Sequence, residues 1–323
     1  MKRIETDLHL HLDGSLPIET VKILAEQAGY DFHGRDIKSC ISVGDSCESL
    51  PEYLKCFEVP GILLQTEGAL ELASYDLVKC LAQQGVVYAE IRFAPQLHKN
   101  QGLSQEKAVE AVIRGSRKAC DATGIFIGIL LCDMVTGTNF DNEETFDIAK
   151  GYLGKGVVGA DIAGAEGAVP MSYFEPLFRR ADRAGLPFTI HAGECGDYEN
   201  VAKAVSYGAK RIGHGCAAVK SEACMDLLIR EKITLEMCVI SNLQTKAVKT
   251  VKEHPLKAFY DRGIRVTNNT DNMTVSDTSL AKEAGILQDE MGFVEADLVR
   301  MNRYAVEAAF AGIEVKKKLL ELF

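Results

Sequence analysis

Short apolar runs rich in Val, Ile and Ala recur along the chain, and each is followed by a polar or glycine-bearing turn and then by a helical pattern. We interpret these runs as eight strands: Ile4 to His11, Val86 to Phe93, Ile125 to Cys132, Val157 to Ala163, Pro187 to His191, Arg211 to His214, Ile233 to Cys238 and Ile264 to Asn268. Strands that alternate with helices predict a parallel sheet, and eight of them predict an α/β fold of the closed (β/α)8 TIM barrel type. A doubly wound open sheet is the structural alternative, but no Gly-x-Gly-x-x-Gly turn follows the first strand.

The helical patterns between the strands carry recognisable ends. Ser104 is typical of an N-cap, and its helix is expected to run to about Ala122, before Gly124. Further helices are predicted over four stretches between strands: Ser172 to Ala184, Tyr198 to Tyr207, Ser221 to Glu231 and Pro255 to Arg262. Two more, Ser279 to Met291 and Glu295 to Ala311, precede a Lys-rich final helix.

The first connection, roughly residues 14 to 85, is much longer than one crossover helix. It contains a helical pattern near Ile18 to Ala28 and a second one in which Leu50, Leu54 and Phe57 share a face. Such excursions are typically lids or binding loops, so these three side chains are either core or the cover of a site. No repeat, linker or shift in composition divides the chain, and we expect one domain over residues 1–323.

Composition and charge narrow the class of protein. The chain has 323 residues, of which 47% are apolar and 25% charged, as in ordinary globular proteins. A formal charge of −10 disfavours non-specific binding to nucleic acid or to an anionic membrane. The longest apolar run, Ile125 to Cys132, is too short to span a bilayer, and no secretory signal is visible. Ten cysteines without a Cys-x-x-Cys pair indicate reduced thiols, so a cytoplasmic location is expected.

The first predicted strand carries a candidate metal site. His9 and His11 are two residues apart, and on an extended strand they point to the same face. Two imidazoles placed in this way can bind one metal ion. An isolated His-x-His is more often a half-buried strand whose histidines only satisfy hydrogen bonds, so the metal interpretation depends on further ligands downstream.

Further polar residues occur where other predicted strands end. The fifth strand ends with His191 and is followed by Glu194, the sixth ends with His214, and the eighth is followed by Asp271. In a (β/α)8 barrel the carboxyl ends of the strands share one rim, which is where functional residues lie. Four of the seven histidines are thus predicted at one rim with an Asp and a Glu, whereas His33, His98 and His254 are interpreted as structural.

Several ordered blocks of the chain resemble the signature blocks of the adenosine deaminase family, within the adenosine/AMP deaminases of the metal-dependent amidohydrolases. They span nearly the whole chain: His9-Leu10-His11-Leu12-Asp13-Gly14-Ser15, Arg92-Phe93-Ala94-Pro95, Asp161-Ile162-Ala163-Gly164, Thr189-Ile190-His191-Ala192-Gly193-Glu194, Arg211-Ile212-Gly213-His214-Gly215, Ser241-Asn242 and Asn269-Thr270-Asp271. Each motif alone is weak, and the ordered set is specific.

The resemblance implies zinc-dependent deamination of adenosine, and of 2′-deoxyadenosine, to inosine and ammonia in purine salvage. It implies one Zn²⁺ held by His9, His11, His191 and Asp271, a donor set that suits this ion. Zinc lowers the pKa of a bound water to roughly 7. His214 and Asp271 would orient and deprotonate that water, and Glu194 would protonate the purine ring as a general acid.

The resemblance also implies the substrate contacts. His11, Asp13, Gly164 and Asn272 would bind a purine nucleoside, with Asp13 at a ribose hydroxyl and the Gly164 N–H at a ring nitrogen. Many family members have Asp where this chain has Asn272, and an Asn amide can donate to a purine nitrogen at any pH. Ala165-Glu166 replaces an acidic pair, and Val239 stands where a proline is usual after Cys238, which affects the shape of the pocket.

Other functions remain open from the sequence. The closest is an adenine or other purine-amine deaminase on the same scaffold, which in the resemblance carries Glu rather than Asp in the block of Asp13. A two-metal hydrolase would need a bridging Lys at the end of the fourth strand, where this chain has Asp161-Ile162-Ala163-Gly164 and no Lys. A catalytically inactive binding protein is a third alternative, but such a protein would not need to retain every predicted metal ligand together with Glu194. Deaminases with a His-x-Glu and Pro-Cys-x-x-Cys signature are excluded because neither motif occurs. The oligomeric state is not indicated.

Overall fold

The computed structural model describes residues 4–44, 47–195 and 197–323. These residues form eight parallel strands: β1 (Glu5–His11), β2 (Val86–Phe93), β3 (Phe126–Met134), β4 (Val157–Ala163), β5 (Thr189–Ala192), β6 (Arg211–His214), β7 (Thr234–Met237) and β8 (Arg265–Asn268). Each strand pairs with the next in two runs, β1 to β4 and β5 to β8. The eight predicted strands are therefore all present.

Hydrogen bonds between the two runs close the sheet into a barrel. Between β4 and β5, the Ala160 N–H donates to the Pro187 carbonyl at 2.9 Å. Between β1 and the segment that follows β8, His11 N–H donates to the Asp271 carbonyl at 2.7 Å, and Asp271 N–H donates to the His9 carbonyl at 2.8 Å. The fold is the expected TIM barrel, and the open-sheet alternative is wrong. Because Asp271 itself makes the second closure, closing the barrel also brings candidate metal ligands together.

Helices surround the barrel and fill the long connections. They are α1 (Ile18–Ala28), α2 (Ile37–Ile41), α3 (Leu50–Leu54), α4 (Glu58–Leu63), α5 (Glu67–Gln83), α6 (Gln105–Thr123), α7 (Asn139–Tyr152), α8 (Glu175–Arg183), α9 (Tyr198–Tyr207), α10 (Glu222–Arg230), α11 (Val239–Gln244), α12 (Leu256–Asp261), α13 (Leu280–Asp289), α14 (Glu295–Ala308) and α15 (Ile313–Leu320). The Ser104 hydroxyl accepts from Lys107 N–H at the start of α6, and Gly124 ends that helix in the left-handed conformation, as expected. No helix of the described residues is long and apolar enough to cross a membrane.

Two predicted helices differ from the structure for identifiable reasons. The stretch Ser172 to Ala184 divides into a 3₁₀ turn, Met171–Phe174, and α8, which has a proline in its first turn. Proline lacks an N–H and favours the start of a helix over its interior. The helix expected to reach Ala311 ends at Ala308, where the Ala308 carbonyl accepts from Arg211 and the Phe310 N–H donates to Glu90. These buried charges redirect the backbone.

Candidate active site

Four imidazoles and one carboxylate meet at the C-terminal rim of the barrel. Ring centroids of His9 lie 5.5 Å from His11, 4.6 Å from His191 and 4.8 Å from His214. One ligand atom from each of His9, His191, His214 and Asp271 lies within 4.8 Å of the others, and His11 Nε2 lies 3.4 Å from Asp271 Oδ1. The structure thus brings together all four predicted metal ligands, and places His214 among them.

The backbone at this rim is held in uncommon conformations. Asp271 has φ of 58° and His214 has φ of 63°, a left-handed region that L-residues rarely adopt. At Asp271 the ladder to β1 fixes the backbone on both sides, and the Ser241 hydroxyl donates to Oδ2 at 2.6 Å. Strain of this kind persists only where the surroundings over-determine it, and it concentrates at functional sites.

Buried partners orient the histidines from behind. His9 Nδ1 lies 2.8 Å from Glu236 Oε2, and His191 Nδ1 lies 2.9 Å from Asp161 Oδ2. Arg92 donates to both of these carboxylates, at 2.6 Å to Asp161 and 2.8 Å to Glu236. A carboxylate at Nδ1 favours a hydrogen there, which leaves a lone pair on Nε2 for a metal ion.

The electrostatics of the cluster fit a divalent cation. Burial lowers the pKa of His9 and of His11, which keeps both imidazoles neutral. Burial acts to raise the pKa of Asp271, but the close approach of His9 and the other nearby imidazoles holds that pKa well below its usual range. His9 Nε2 is buried, and no described residue forms a hydrogen bond with it. A cation would pair this orphaned lone pair and the ionised carboxylate at once.

The loop after β5 places Glu194 beside this cluster. Glu194 is 6% exposed, and its Oε2 lies 3.9 Å from His214 Nε2. The carboxylate of Glu166 accepts hydrogen bonds from the backbone N–H groups of Gly193, Glu194 and Cys195, at 2.7 to 2.9 Å, and from the Asn200 amide at 2.9 Å. Glu166 therefore fixes the backbone from which Glu194 projects.

A cavity of about 750 Å³, counting its open mouth, lies over the cluster. That size suits a small organic ligand. Eight of the nine predicted site residues line it: His11, Asp13, Gly164, His191, Glu194, His214, Asp271 and Asn272. The ninth, His9, is fully buried beneath them.

Glycines and amides shape the floor of the cavity. A Cβ on Gly14 would lie 1.8 Å from Asn272 Oδ1, so only glycine lets Asn272 occupy this position. Gly164 has φ of +114°, a backbone conformation that residues with side chains rarely adopt, although a Cβ there would meet no atom of the described residues closer than 3.5 Å. Burial raises the pKa of Asp13 to about 6.

The long first connection covers the cavity. Leu50, Leu54 and Phe57 all line it, so the face they share points at the site rather than only into the core. Tyr53 lies on the same face, and its hydroxyl lies 2.7 Å from Ser276 Oγ. Sequence analysis missed Tyr53, although its spacing of three residues from Leu50 was a usable signal.

Sequence analysis also missed most of the residues that support the site. In the sequence, Glu236 stands out only as a single acidic residue inside an apolar predicted strand. Because a buried charge without a partner is energetically costly, such a residue is a signal of a buried partner. His254, interpreted as structural, is buried and contacts Asn242, which contacts His214. No local pattern marks that contact.

A parallel eight-stranded barrel whose strand ends place histidines, an aspartate and a glutamate around one point defines a metal-dependent hydrolase of the amidohydrolase type. The sequence model of the adenosine deaminase family, described as "Adenosine deaminase", matches residues 5–323. The chain therefore belongs to the adenosine deaminase family.

Individual relatives agree with this assignment. The chain is 44% identical to the adenosine deaminase of Haemophilus ducreyi, over 97% of this chain and 94% of that protein. Two solved structures share the fold at lower identity. One is an adenine deaminase from Arthrobacter aurescens, with 24% identity, a TM-score of 0.88, and coverage of 99% of this chain and 97% of that one. The other is an amidohydrolase from Burkholderia ambifaria with bound Zn, with 22% identity, a TM-score of 0.91, and coverage of 99% and 89%.

Proposed function

We propose that this chain catalyses the hydrolytic deamination of adenosine and 2′-deoxyadenosine, releasing ammonia and leaving inosine or 2′-deoxyinosine. The observation that carries the proposal is the position of Glu194, a carboxyl group at the cavity wall 3.9 Å from His214 and beside the imidazole–carboxylate cluster. The family and the relative from Haemophilus ducreyi support adenosine as the substrate. The adenine deaminase neighbour supports the fold alone, since it is 24% identical.

We propose His9, His11, His191 and Asp271 as the ligands of one Zn²⁺. The carboxylates behind His9 and His191 favour a free lone pair on each Nε2, and both Nε2 of His9 and Nε2 of His11 lie 3.4 Å from Asp271 Oδ1. When bound, zinc supplies a Lewis acid that makes hydroxide available near neutral pH. The zinc of the Burkholderia ambifaria protein is a property of that protein, and it makes zinc the first ion to test here.

The residues of the chain divide the proton transfers. Glu194 donates a proton to the ring nitrogen next to the carbon that bears the amino group, which makes that carbon open to attack. His214 and Asp271 orient and deprotonate the attacking water, and the ionised carboxylate of Asp271 accepts its proton. The carbon–nitrogen bond of the tetrahedral carbon then breaks as the amino group takes the proton held by Asp271 and leaves as ammonia, while the hydroxyl proton returns to Glu194 and the carbonyl of inosine forms.

The remaining cavity residues bind the purine nucleoside. The Gly164 N–H and the Asn272 amide are donors for purine nitrogens, and His11 lines the same wall. Asp13 is the acceptor for a ribose hydroxyl. The side chains of Leu50, Tyr53, Leu54 and Phe57 cover the purine and exclude water.

The test compares the wild-type protein with Glu194→Gln. The zinc-loaded wild type is expected to release ammonia from adenosine and to contain one zinc per chain. Glu194→Gln keeps the shape and a hydrogen-bond donor but cannot transfer a proton, so turnover should fall by at least about 10²-fold with normal zinc content. Steady-state ammonia release and metal analysis measure both quantities.

Glu199→Gln is the matched control, because Glu199 is an exposed glutamate five positions along the same segment. It should leave turnover unchanged. Loss of zinc from Glu194→Gln would make Glu194 a ligand instead of an acid, and two zinc ions per chain would favour the two-metal hydrolase. Release of ammonia from adenine but not from adenosine would favour the adenine deaminase.

A further inference from the structure

The Nδ1 nitrogen of His214 has a different kind of partner from the Nδ1 nitrogens of His9 and His191. His214 Nδ1 lies 3.0 Å from Asn242 Nδ2, an amide rather than a carboxylate. The Asn242 Oδ1 lies 3.2 Å from His254 Nε2, and the Leu256 backbone N–H donates to His254 Nδ1 at 3.3 Å. All three side chains are buried, with His214 1%, Asn242 0% and His254 5% exposed.

The direction of this chain of hydrogen bonds is fixed at its far end. A backbone N–H can only donate, so His254 Nδ1 must offer its lone pair to Leu256. Burial lowers the pKa of His254 to about 3, so its imidazole is neutral and its single hydrogen is on Nε2. That hydrogen points to the Asn242 oxygen, which also accepts from the Cys216 thiol at 3.3 Å.

The Asn242 amide is thereby oriented with its nitrogen towards His214. The reversed amide would turn its N–H₂ group towards the Nε2–H of His254, so that two donors would face each other. An amide nitrogen can only donate, and His214 Nδ1 must therefore accept. A neutral His214 then has its hydrogen on Nε2, the nitrogen that faces Glu194.

We propose that Leu256 N–H, His254 and Asn242 form a relay that holds neutral His214 in the Nε2–H form. His254 and Asn242 are positioning residues, because they act on the reaction only through His214. A nitrogen that carries this hydrogen cannot bind a metal ion, so the relay keeps His214 out of the ligand set. His9 and His191, with carboxylates behind them, are left with free Nε2 lone pairs.

The relay also gives His214 and Asp271 different roles in the reaction. This assignment rests on the proposed function. The Nε2–H of His214 donates to the attacking oxygen and stabilises its negative charge, but it cannot take a proton from it. Removal of that proton falls to Asp271, whose Oδ2 is held by the Ser241 hydroxyl at 2.6 Å.

The test reads the hydrogen directly by NMR of ¹⁵N-histidine-labelled protein, in the zinc-loaded and metal-free states. The seven histidines can be assigned by single substitutions. At neutral pH, His214 is expected to show a pyrrole-type Nε2 and a pyridine-type Nδ1. A pyrrole-type Nδ1, or a doubly protonated ring, overturns the proposal.

Three variants test the relay itself. Asn242→Asp places a carboxylate behind His214 and should move its hydrogen to Nδ1, with turnover reduced at least about tenfold and the Michaelis constant for adenosine unchanged. His254→Phe removes the donor to the Asn242 oxygen and should lower the fraction of the Nε2–H form, whereas His254→Gln retains an N–H donor and should restore it. The two His254 variants keep the test valid if Asn242→Asp does not fold.

His33→Gln is the matched control, because His33 is exposed and does not line the cavity. It should remove one pair of signals and change neither the His214 pattern nor turnover. A His214 pattern that is the same in the wild type and in all three variants overturns the relay. If the wild type shows the expected pattern but releases no ammonia from adenosine, the relay is supported and the proposed function fails.

Discussion

Single residues decide which chemistry each rim histidine can perform. The ring of every histidine is the same, and the partner at Nδ1 sets where the hydrogen lies. The partner at Nδ1 is a carboxylate for His9 and His191 and an amide for His214. The same side chain can thus serve as a metal ligand or as a hydrogen-bond donor a few ångströms away.

Asp13 is the residue expected to distinguish the nucleoside from the free base. It lines the cavity from the turn after β1. Because adenine lacks the ribose hydroxyl, Asp13→Ala should lower kcat/KM for adenosine by roughly 10- to 100-fold and leave adenine unaffected, as expected for one hydrogen bond to a charged group. Ammonia release with the two substrates measures this selectivity. An equal loss with both would mean that Asp13 does not contact the ribose.

At the scale of elements, the loop from β5 to α9 depends on a residue from a different loop. Glu166 follows β4 and accepts four hydrogen bonds from the segment around Glu194. A carboxylate that satisfies three successive backbone N–H groups fills a small anion-binding nest, and here the anion belongs to the protein itself.

Removal of this anchor should misplace the acid without affecting the metal. Glu166→Ala is expected to lower turnover by on the order of 10²-fold, because small displacements of a catalytic group have effects of this size. Zinc content should stay normal, and Glu199→Ala, on the exposed start of α9, should have no effect. Kinetics and metal analysis on the same samples check both. Normal turnover in Glu166→Ala would show that the loop holds Glu194 without its anchor.

The 3₁₀ turn Lys55–Phe57, which joins α3 to α4 over the cavity, leads to a separate prediction. Phe57 is partly buried and lines the cavity, so Phe57→Ala should raise the Michaelis constant for adenosine by about tenfold through lost apolar contact. Ile62→Ala is the control, because Ile62 lies on α4, is 50% exposed and does not line the cavity. If Phe57→Ala folds and changes neither the Michaelis constant nor turnover, Phe57 has no role in covering the substrate.

At the scale of the whole molecule, charged side chains run through the barrel interior beneath the rim. Arg92 joins Asp161 to Glu236, and Arg211 joins Glu236 to Glu90 near the opposite end. All five side chains are fully buried. Removing one member would leave its partner charged and unpaired, which is strongly destabilising. The orientation of the rim histidines is therefore coupled to the integrity of the entire barrel.

Buried histidines make the stability of the fold sensitive to mild acid. Burial lowers the pKa of His98 to about 4, its Nδ1 lies 2.7 Å from the Leu64 carbonyl, and its Nε2 has no hydrogen-bond partner among the residues that the structure describes. The unfolded chain binds a proton here below a pKa of about 6.5, while the folded chain does so only near 4. The contribution of His98 to the free energy of unfolding is therefore fully present above pH 6.5 and is lost as the pH falls towards 4.

His98→Gln should remove this part of the pH dependence, because glutamine keeps a donor for Leu64 and does not titrate. Between pH 7 and pH 5 the variant should lose up to about 2 kcal/mol less unfolding free energy than the wild type. Urea unfolding at the two pH values measures the difference, and the other histidines affect both proteins alike. An identical loss in both proteins would mean that His98 is not the group responsible.

The sequence by itself determined the order of strands and helices and the residues at the strand ends. Apolar runs, N-caps such as Ser104 and stop signals such as Gly124 are local, so they can be read without knowing which strands pair. Because carboxyl ends of parallel strands share a rim, the same reading placed His9, His11, His191, Glu194, His214 and Asp271 at one end of the barrel.

Only the tertiary structure decided which side chains contact those residues and hold them in place. Glu236, Asp161 and Asn242 reach the histidines from other strands and helices, and Glu166 reaches the Glu194 loop across 27 residues. Contacts of this kind depend on barrel closure, strand register and the path of the lid, and no periodicity in the sequence encodes them. Residue type placed the candidate chemistry at the rim, while the position of each proton depends on neighbours that only folding brings into contact.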